Sequence, residues 1–324
     1  MRELTYAEAL GEALREEMMR DERVILLGEE VGVFEGVYKV SKGLLKEFGP
    51  KRVLDTPISE SAIIGAATGA ALMGLRPVAE IMYMDFLQVC MDQIVTQASK
   101  MYFMSGGKLK VPVVIRTQYS LGRVHGAQHS QFFPSWFLQA PGLKVVLPST
   151  PYDAKGLLKS AIRDDAPVLF IEAGVLYRSK GPVPEEEYTV PLGYADVKRE
   201  GVDVTIVAIS RAVHDALAAS EELSKQGISA EVIDPRSIQP LDHDAIIKSV
   251  KKTGRLVVVE DDIKSGCVGA EIAFIVMEEA FDHLDAPIAR VTSPDLSIPF
   301  SPPLEKAYMP NPEKIVDAVR GLVK

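Results

Sequence analysis

Two long stretches of the chain alternate short apolar runs with amphipathic ones. Thr5-x-x-Glu8 has capping-box spacing, and the apolar positions after it recur every three to four residues to about Met19, which predicts a helix. Val24-Ile-Leu-Leu27 reads as a short buried strand stopped by Gly28. The pattern then predicts a small-residue helix from Ser59 to Gly74, a strand from Pro77 to Met82, and a helix from Asp85 to Met104 that ends at Gly106-Gly107. Val111-Pro-Val-Val-Ile-Arg116 and Leu143-Lys-Val-Val-Leu147 are β-branched runs and predict strands. A helix from Tyr152 to Asp164 and a strand from Pro167 to Ile171 are expected next.

Periodicity vanishes over Lys180-Gly-Pro-Val-Pro-Glu-Glu-Glu187, a linker signature. It restarts after Gly201. Strands are predicted from Val204 to Ala208, Ala230 to Ile233 and Leu256 to Glu260. Helices are predicted from Ala212 to Lys225, Asp244 to Lys251, Val268 to Phe281 and Pro312 to Leu322. Alternation on both sides of the linker implies an α/β fold of two mostly parallel-sheet domains. The strands are continuous apolar runs, as expected of sheets covered on both faces. The expected division is residues 1–185, a linker at 186–200, and residues 201–324.

The length of 324 residues suits two domains at roughly 100–200 residues each. With 47% hydrophobic residues, a sizeable core can form. The net charge of -9 argues against nucleic acid and against an anionic membrane surface, and permits docking to a basic protein. The start, Met1-Arg-Glu-Leu-Thr-Tyr-Ala-Glu8, has no apolar region of a signal peptide. The longest small-apolar run, Ile63 to Leu75, is shorter than the ~20 residues a bilayer span needs. A cytoplasmic protein is expected. Cys90 and Cys267 stand far apart outside any CxxC spacing, and are expected to be buried reduced thiols.

Three local features could carry chemistry. In Asp55-Thr-Pro-Ile-Ser-Glu60 an extended segment leads into a helix whose first turn holds Glu60. That carboxylate either complements the positive helix end or, desolvated by the small apolar helix after it, exchanges protons. His125-Gly-Ala-Gln-His129-Ser-Gln131 precedes the aromatic Phe132-Phe-Pro-Ser-Trp136. A loop histidine there is an acid/base candidate or a surface group, and the intervening glycine weakens a metal pair. Ala161-Ile-Arg-Asp164-Asp-Ala-Pro167 reads as an ordinary helix stop, or as carbonyls plus a carboxylate able to hold a hard cation. There is no Gly-x-Gly-x-x-Gly after a strand, no Walker-type loop and no Gly-x-Ser-x-Gly elbow, so hydride transfer and serine hydrolysis lack local support.

Taken in order, Leu26-Leu-Gly-Glu-Glu-Val31, Asp55-Thr-Pro-Ile-Ser-Glu60, Gly74-Leu-Arg-Pro77, Asp92-Gln93, Ser105-Gly-Gly107, Ala127-Gln-His-Ser-Gln131, Pro141-Gly-Leu-Lys-Val-Val146 and Asp153-Ala-Lys-Gly-Leu157 form a specific set. Asp234-Pro-Arg-Ser-Ile-Gln-Pro240, Lys252-Thr-Gly-Arg255 and Asp285-Ala-Pro287 extend it across the chain. The set resembles the β subunit of the thiamine diphosphate-dependent decarboxylase component of pyruvate, acetoin and branched-chain 2-oxo-acid dehydrogenase complexes. The resemblance implies a transketolase-like pyrimidine-binding domain, a transketolase C-terminal domain and an α2β2 heterotetramer. Thiamine diphosphate would lie between α and β, with its diphosphate and Mg²⁺ on the α subunit. The family's diphosphate motif, Gly-Asp-Gly followed some thirty residues later by Asn, is absent from this chain, in keeping with a borrowed phosphate site.

The same resemblance assigns roles. Glu60 matches the glutamate that bonds N1′ of thiamine and so promotes the imino tautomer whose 4′-nitrogen deprotonates C2. Phe86 matches an aromatic packed on the aminopyrimidine, and Glu29 a glutamate in a polar network between two active sites. His129 matches a histidine that orients substrate and moves a proton during acyl transfer to lipoamide, while His125 departs from the pyruvate-type pattern. A K⁺ site of backbone carbonyls would map to Val113, Ala161, Ile162, Asp164 and Ala166. His129-Ser-Gln-Phe-Phe-Pro-Ser-Trp136 lies closer to the pyruvate and acetoin types than to the branched-chain pattern, and Phe132 and Phe133 could limit the pocket. Pyruvate is the expected substrate, then acetoin, then branched-chain oxo acids. The expected partners are the α subunit and the basic peripheral subunit-binding and lipoyl domains of the dihydrolipoyl acyltransferase, with Glu260-Asp-Asp262 as an acidic docking feature. Two alternatives are a homodimeric transketolase-like enzyme, disfavoured by the missing diphosphate domain, and a non-catalytic assembly subunit, disfavoured by the retained Glu60 and His129.

Overall fold

The structure, a computed structural model, describes residues 1–323. The chain forms two units: residues 1–120 with 136–192, and residues 121–135 with 193–324.

In the first unit six strands lie in the order Lys144–Val146, Val168–Ala173, Val114–Tyr119, Arg76–Ile81, Val24–Gly28, Val53–Asp55, every neighbouring pair parallel. The three central strands are almost wholly buried, which is why they read as unbroken apolar runs. Helix Tyr6–Arg20 opens with the expected capping box: Glu8 N–H donates to Thr5 Oγ1 at 3.2 Å and Thr5 N–H to Glu8 Oε2 at 2.8 Å. It packs on helix Pro151–Arg163. Lys155 and Lys159 are buried between the two because Glu16 accepts from them at 2.7 and 2.6 Å. Arg2–Thr5 and Lys180–Val183 form an antiparallel pair that the sequence pattern does not predict, since their charged and proline-rich residues carry no apolar alternation.

Asp85 to Met104, expected as one helix, is broken. Met84–Cys90 is 3₁₀, Asp92–Ala98 is π-helical, and Met101–Met104 is a short α turn. The tight first part is closed by Phe86 N–H donating to the Tyr83 carbonyl at 3.0 Å. Changes of helical pitch of this kind let side chains leave the regular α spacing and gather at sites.

The second unit is a five-stranded sheet ordered Ala289–Ser293, Leu256–Ile263, Val204–Ala208, Ala230–Asp234, Asp196–Arg199. The first four strands are parallel, and Asp196–Arg199, from the stretch read as linker, closes the edge antiparallel. Its core joins Val204, Ile206, Val232, Val257 and Val259 to the inner faces of helices Ala212–Ser224 and Pro312–Leu322. Both cysteines are buried and unbridged, as expected. Among the described residues no helix is long and apolar enough to cross a membrane.

Candidate active site

The C-terminal ends of the first unit's strands gather polar groups on one edge, where open parallel sheets bind ligands. Glu29 follows strand Val24–Gly28, and Glu60 starts helix Glu60–Leu72 just beyond strand Val53–Asp55. Asp55 fixes the loop after Glu29: its carboxylate accepts the N–H groups of Gly32 at 2.5 Å and Val33 at 2.8 Å. The Glu60 helix is stitched to the Phe86 turn by Ser61 Oγ, which donates to the Val89 carbonyl at 2.7 Å. Gly65 allows close approach of the π-helical stretch, since a Cβ there would lie 3.1 Å from Gln93 Oε1. Tyr83 and Phe86 meet edge to face with centroids 5.5 Å apart. Glu29, Glu60 and Phe86 are all half-buried, so each keeps an open side. Burial raises the Glu29 carboxyl above its usual range, and the neighbouring Glu60 carboxylate adds to the shift. A carboxyl presented next to an aromatic ring can exchange a proton with a heteroaromatic ligand stacked there.

His125 and His129 lie on the segment 121–135, which belongs to the second unit. Both are half-buried, and burial, with Arg123 and His129 nearby, lowers the His125 imidazole. Phe132 and Phe133, expected as possible pocket walls, are each 5% exposed.

Comparison with known proteins settles the family. Residues 2–180 match the model of the transketolase pyrimidine-binding domain, and residues 193–315 that of the transketolase C-terminal domain. The chain belongs to the transketolase family. Among this family chain's relatives is the acetoin:2,6-dichlorophenolindophenol oxidoreductase subunit beta of Bacillus subtilis, 48% identical over 99% of this chain and 98% of the relative. The 2-oxoisovalerate dehydrogenase subunit beta of the same organism is 48% identical over 99% of each chain. The pyruvate dehydrogenase E1 component subunit beta of Rickettsia felis is 48% identical over 98% of each. A solved split gene transketolase, an inactive beta4 tetramer, shares the fold with a TM-score of 0.82 at 24% identity, covering 99% of this chain and 98% of that one.

Other expected residues of this transketolase-family chain fall as follows. Val113, Ala161, Ile162, Asp164 and Ala166 gather at one corner of the first unit. Arg76 donates to the carbonyls of Ile162 at 2.8 Å and Asp164 at 2.5 Å, and the Val113 carbonyl accepts from Val168 N–H at 2.9 Å. The neutral oxygen donors suit a weakly hydrated monovalent cation, but a guanidinium already sits on two of them.

Glu260-Asp-Asp262 does not form a surface patch, and the expectation that it docks a basic partner is corrected: the three are 0, 3 and 4% exposed. Glu260 Oε1 accepts Gly269 N–H at 2.6 Å at the start of helix Val268–Glu279, Asp261 pairs with Arg211, and Asp262 accepts Ser135 Oγ at 3.0 Å and Ile263 N–H at 2.8 Å. Burial pushes the Glu260 and Asp262 carboxyls each up to about 7.

A buried network next to the strand ends escaped the sequence reading. Arg116 binds Glu172 through two bonds of 2.7 and 3.0 Å and Glu80 through one of 2.7 Å, and Tyr177 donates to Glu172 at 2.7 Å. Its signal was present as one charge, Glu80, Arg116 or Glu172, inside each of three buried strands, Arg76–Ile81, which also begins on Arg76, Val114–Tyr119 and Val168–Ala173.

Proposed function

We propose that this chain is the β half of an α2β2 decarboxylase component that oxidatively decarboxylates a 2-oxo acid, pyruvate first, and passes the acyl group to a lipoyl group. The observation that carries the reading is the grouping of Glu60, Phe86 and Glu29 on the strand-end edge, bordered by exposed apolar side chains. Ile58, two residues before Glu60, is 83% exposed, and Val89, on the Phe86 turn, is 59% exposed. Helix Glu60–Leu72 has no charge after Glu60, yet Ala62, Ala66 and Gly69 face solvent in the single chain. A helix apolar all round belongs in an interior, and an α subunit laid over it provides one. The names of the three relatives, each a subunit beta of an oxidoreductase or dehydrogenase, support a partner subunit.

The residues fit thiamine diphosphate, with the half-buried Glu60 carboxyl and the half-buried Phe86 ring on one edge. When bound, that cofactor supplies the carbon nucleophile and electron sink for decarboxylation. Glu60 shares a proton with N1′ of the aminopyrimidine, Phe86 packs on that ring, and Glu29 keeps a second carboxyl near Glu60, linking it to the polar network between active sites. His129 orients substrate and moves a proton during acyl transfer. The diphosphate and Mg²⁺ rest on the α subunit. K⁺ at the carbonyls of Val113, Ala161, Ile162, Asp164 and Ala166 shares two of them, Ile162 and Asp164, with Arg76, and replacing K⁺ by a bulky organic cation lowers the melting temperature if the site fills. Docking of the acyltransferase's basic subunit-binding domain uses the second unit's outer acids: Glu271, Glu278, Glu279, Asp282 and Asp285 are all exposed. Such docking weakens as salt rises.

Co-expression with an α-type chain, followed by thiamine-dependent rates on pyruvate, acetoin and a branched-chain 2-oxo acid, tests the reading and ranks the substrates. Absence of a stable complex, or turnover independent of thiamine diphosphate, rejects it.

A further inference from the structure

The segment Leu121–Ser135 carries both candidate histidines, and two buried carboxylates of its own unit grip its ends. Glu305, on helix Pro302–Tyr308, is 2% exposed. One of its oxygens accepts the Gly122 N–H at 3.0 Å, and the other accepts the Val124 N–H at 2.9 Å. At the far end Asp262 accepts Ser135 Oγ at 3.0 Å. Within the first grip Val124 has φ 62, a left-handed conformation that a β-branched residue adopts only when its surroundings enforce it. The N–H that Glu305 takes is that of the strained residue itself, directly before His125. Phe300, from the same C-terminal segment as Glu305, closes over Gly126, where a Cβ would lie 3.0 Å from its ring. A carboxylate is costly to bury unless strong donors meet it, and two backbone N–H groups aimed at its two oxygens are such donors.

We propose that Glu305 is a positioning residue for the histidine loop: its carboxylate, clamped on Gly122 and Val124, fixes the backbone that carries His125 and His129, and Asp262 fixes the other end through Ser135. The functional part rests on the reading of His129 as the acyl-transfer histidine. The clamp itself does not.

Glu305→Gln in the assembled α2β2 enzyme is the test. A glutamine offers one acceptor where the carboxylate offers two, so one N–H loses its partner. Expected are faster amide hydrogen exchange across residues 121–135 and a fall of about tenfold or more in kcat for acylation of a lipoyl domain, with KM for the 2-oxo acid little changed. Oxidation by an artificial acceptor, which bypasses lipoyl transfer, falls less. Adding Val124→Gly removes the strain at φ 62, so the double variant recovers part of the loss. Unchanged exchange and rates in E305Q, or a double variant no better than E305Q, overturns the proposal. If E305Q does not assemble, Ser135→Ala cuts the second grip, and unchanged exchange at residues 131–135 then counts against it. A wild-type complex without lipoyl acylation sinks the reading of His129 alone, because the exchange experiment still reports on the clamp.

Discussion

The two units place acids at comparable points of their sheets and use them in opposite ways. In the first, Glu29 and Glu60 follow strand ends and stay half open, so their oxygens remain available. In the second, Glu260, Asp261 and Asp262 end the strand Leu256–Ile263 and are spent on a helix N-terminus, an arginine and a serine hydroxyl. The first unit also holds a spent pair, Glu80 and Glu172, matched by Arg116. Residue type and strand-end location are therefore shared. What separates a group free to act from a structural one is whether the fold has already supplied its donors.

Burial then decides the direction in which a spent acid moves. Glu8 and Glu260 both accept backbone N–H groups at helix starts. Glu8 is exposed, and the bonds from Thr5 lower its carboxyl. Glu260 is fully buried, and desolvation outweighs its bonds and raises it to about 7.

Four substitutions probe this contrast. The largest effect belongs to Arg116→Met, which leaves Glu80 and Glu172 without their cation. Breaking a buried pair from one side costs about 3–5 kcal/mol, seen as a lower denaturant midpoint, and a change under about 1 kcal/mol would show that the network is not structural. Next, Glu60→Gln lowers turnover of the α2β2 enzyme by about 10²-fold or more while leaving its melting temperature nearly unchanged. Near-normal turnover removes Glu60 from the chemistry. Third, Glu260→Gln changes the pH dependence of stability. The folded value of Glu260 lies above its ordinary 4.5, so its contribution is full below about 4.5 and is lost as pH rises to about 7. The wild-type melting temperature should fall relative to the variant's across that window, and parallel curves would contradict the assignment. Last, Glu8→Gln should show the reverse sign at less than about 1 kcal/mol, because a lowered carboxyl contributes above its ordinary value and loses that contribution as pH falls. Stability curves of variant and wild type that stay parallel down to acid pH would remove that half of the contrast.

Much of the framework was legible because its causes are local. The runs Val204–Ala208 and Ala212–Ser224 and the helix Pro312–Leu322 carry their own periodicity. The edge strands Arg2–Thr5, Lys180–Val183 and Asp196–Arg199 do not, since each takes its conformation from a distant partner. Glu60 could be singled out from the extended segment before its helix. The grip of Glu305 on Gly122 could not, because it joins residues 183 positions apart. The acids at 260–262 misled for a related reason: Arg211 and Ser135, which hold Asp261 and Asp262, lie 50 and 127 positions away, outside the pattern that suggested a patch.

The allotment of residues 121–135 to the second unit also changes how the chain can be taken apart. The polypeptide passes from one unit to the other at 120/121, returns at 135/136, and leaves again at 192/193. A protease nick at 192/193 would thus leave residues 121–135 covalently attached to the first unit at both ends while severing them from the rest of the second. A gene truncated at that point would still encode the histidines while discarding both carboxylates that hold them. Swapping C-terminal units between relatives at that boundary would pair one parent's histidine loop with the other parent's clamp.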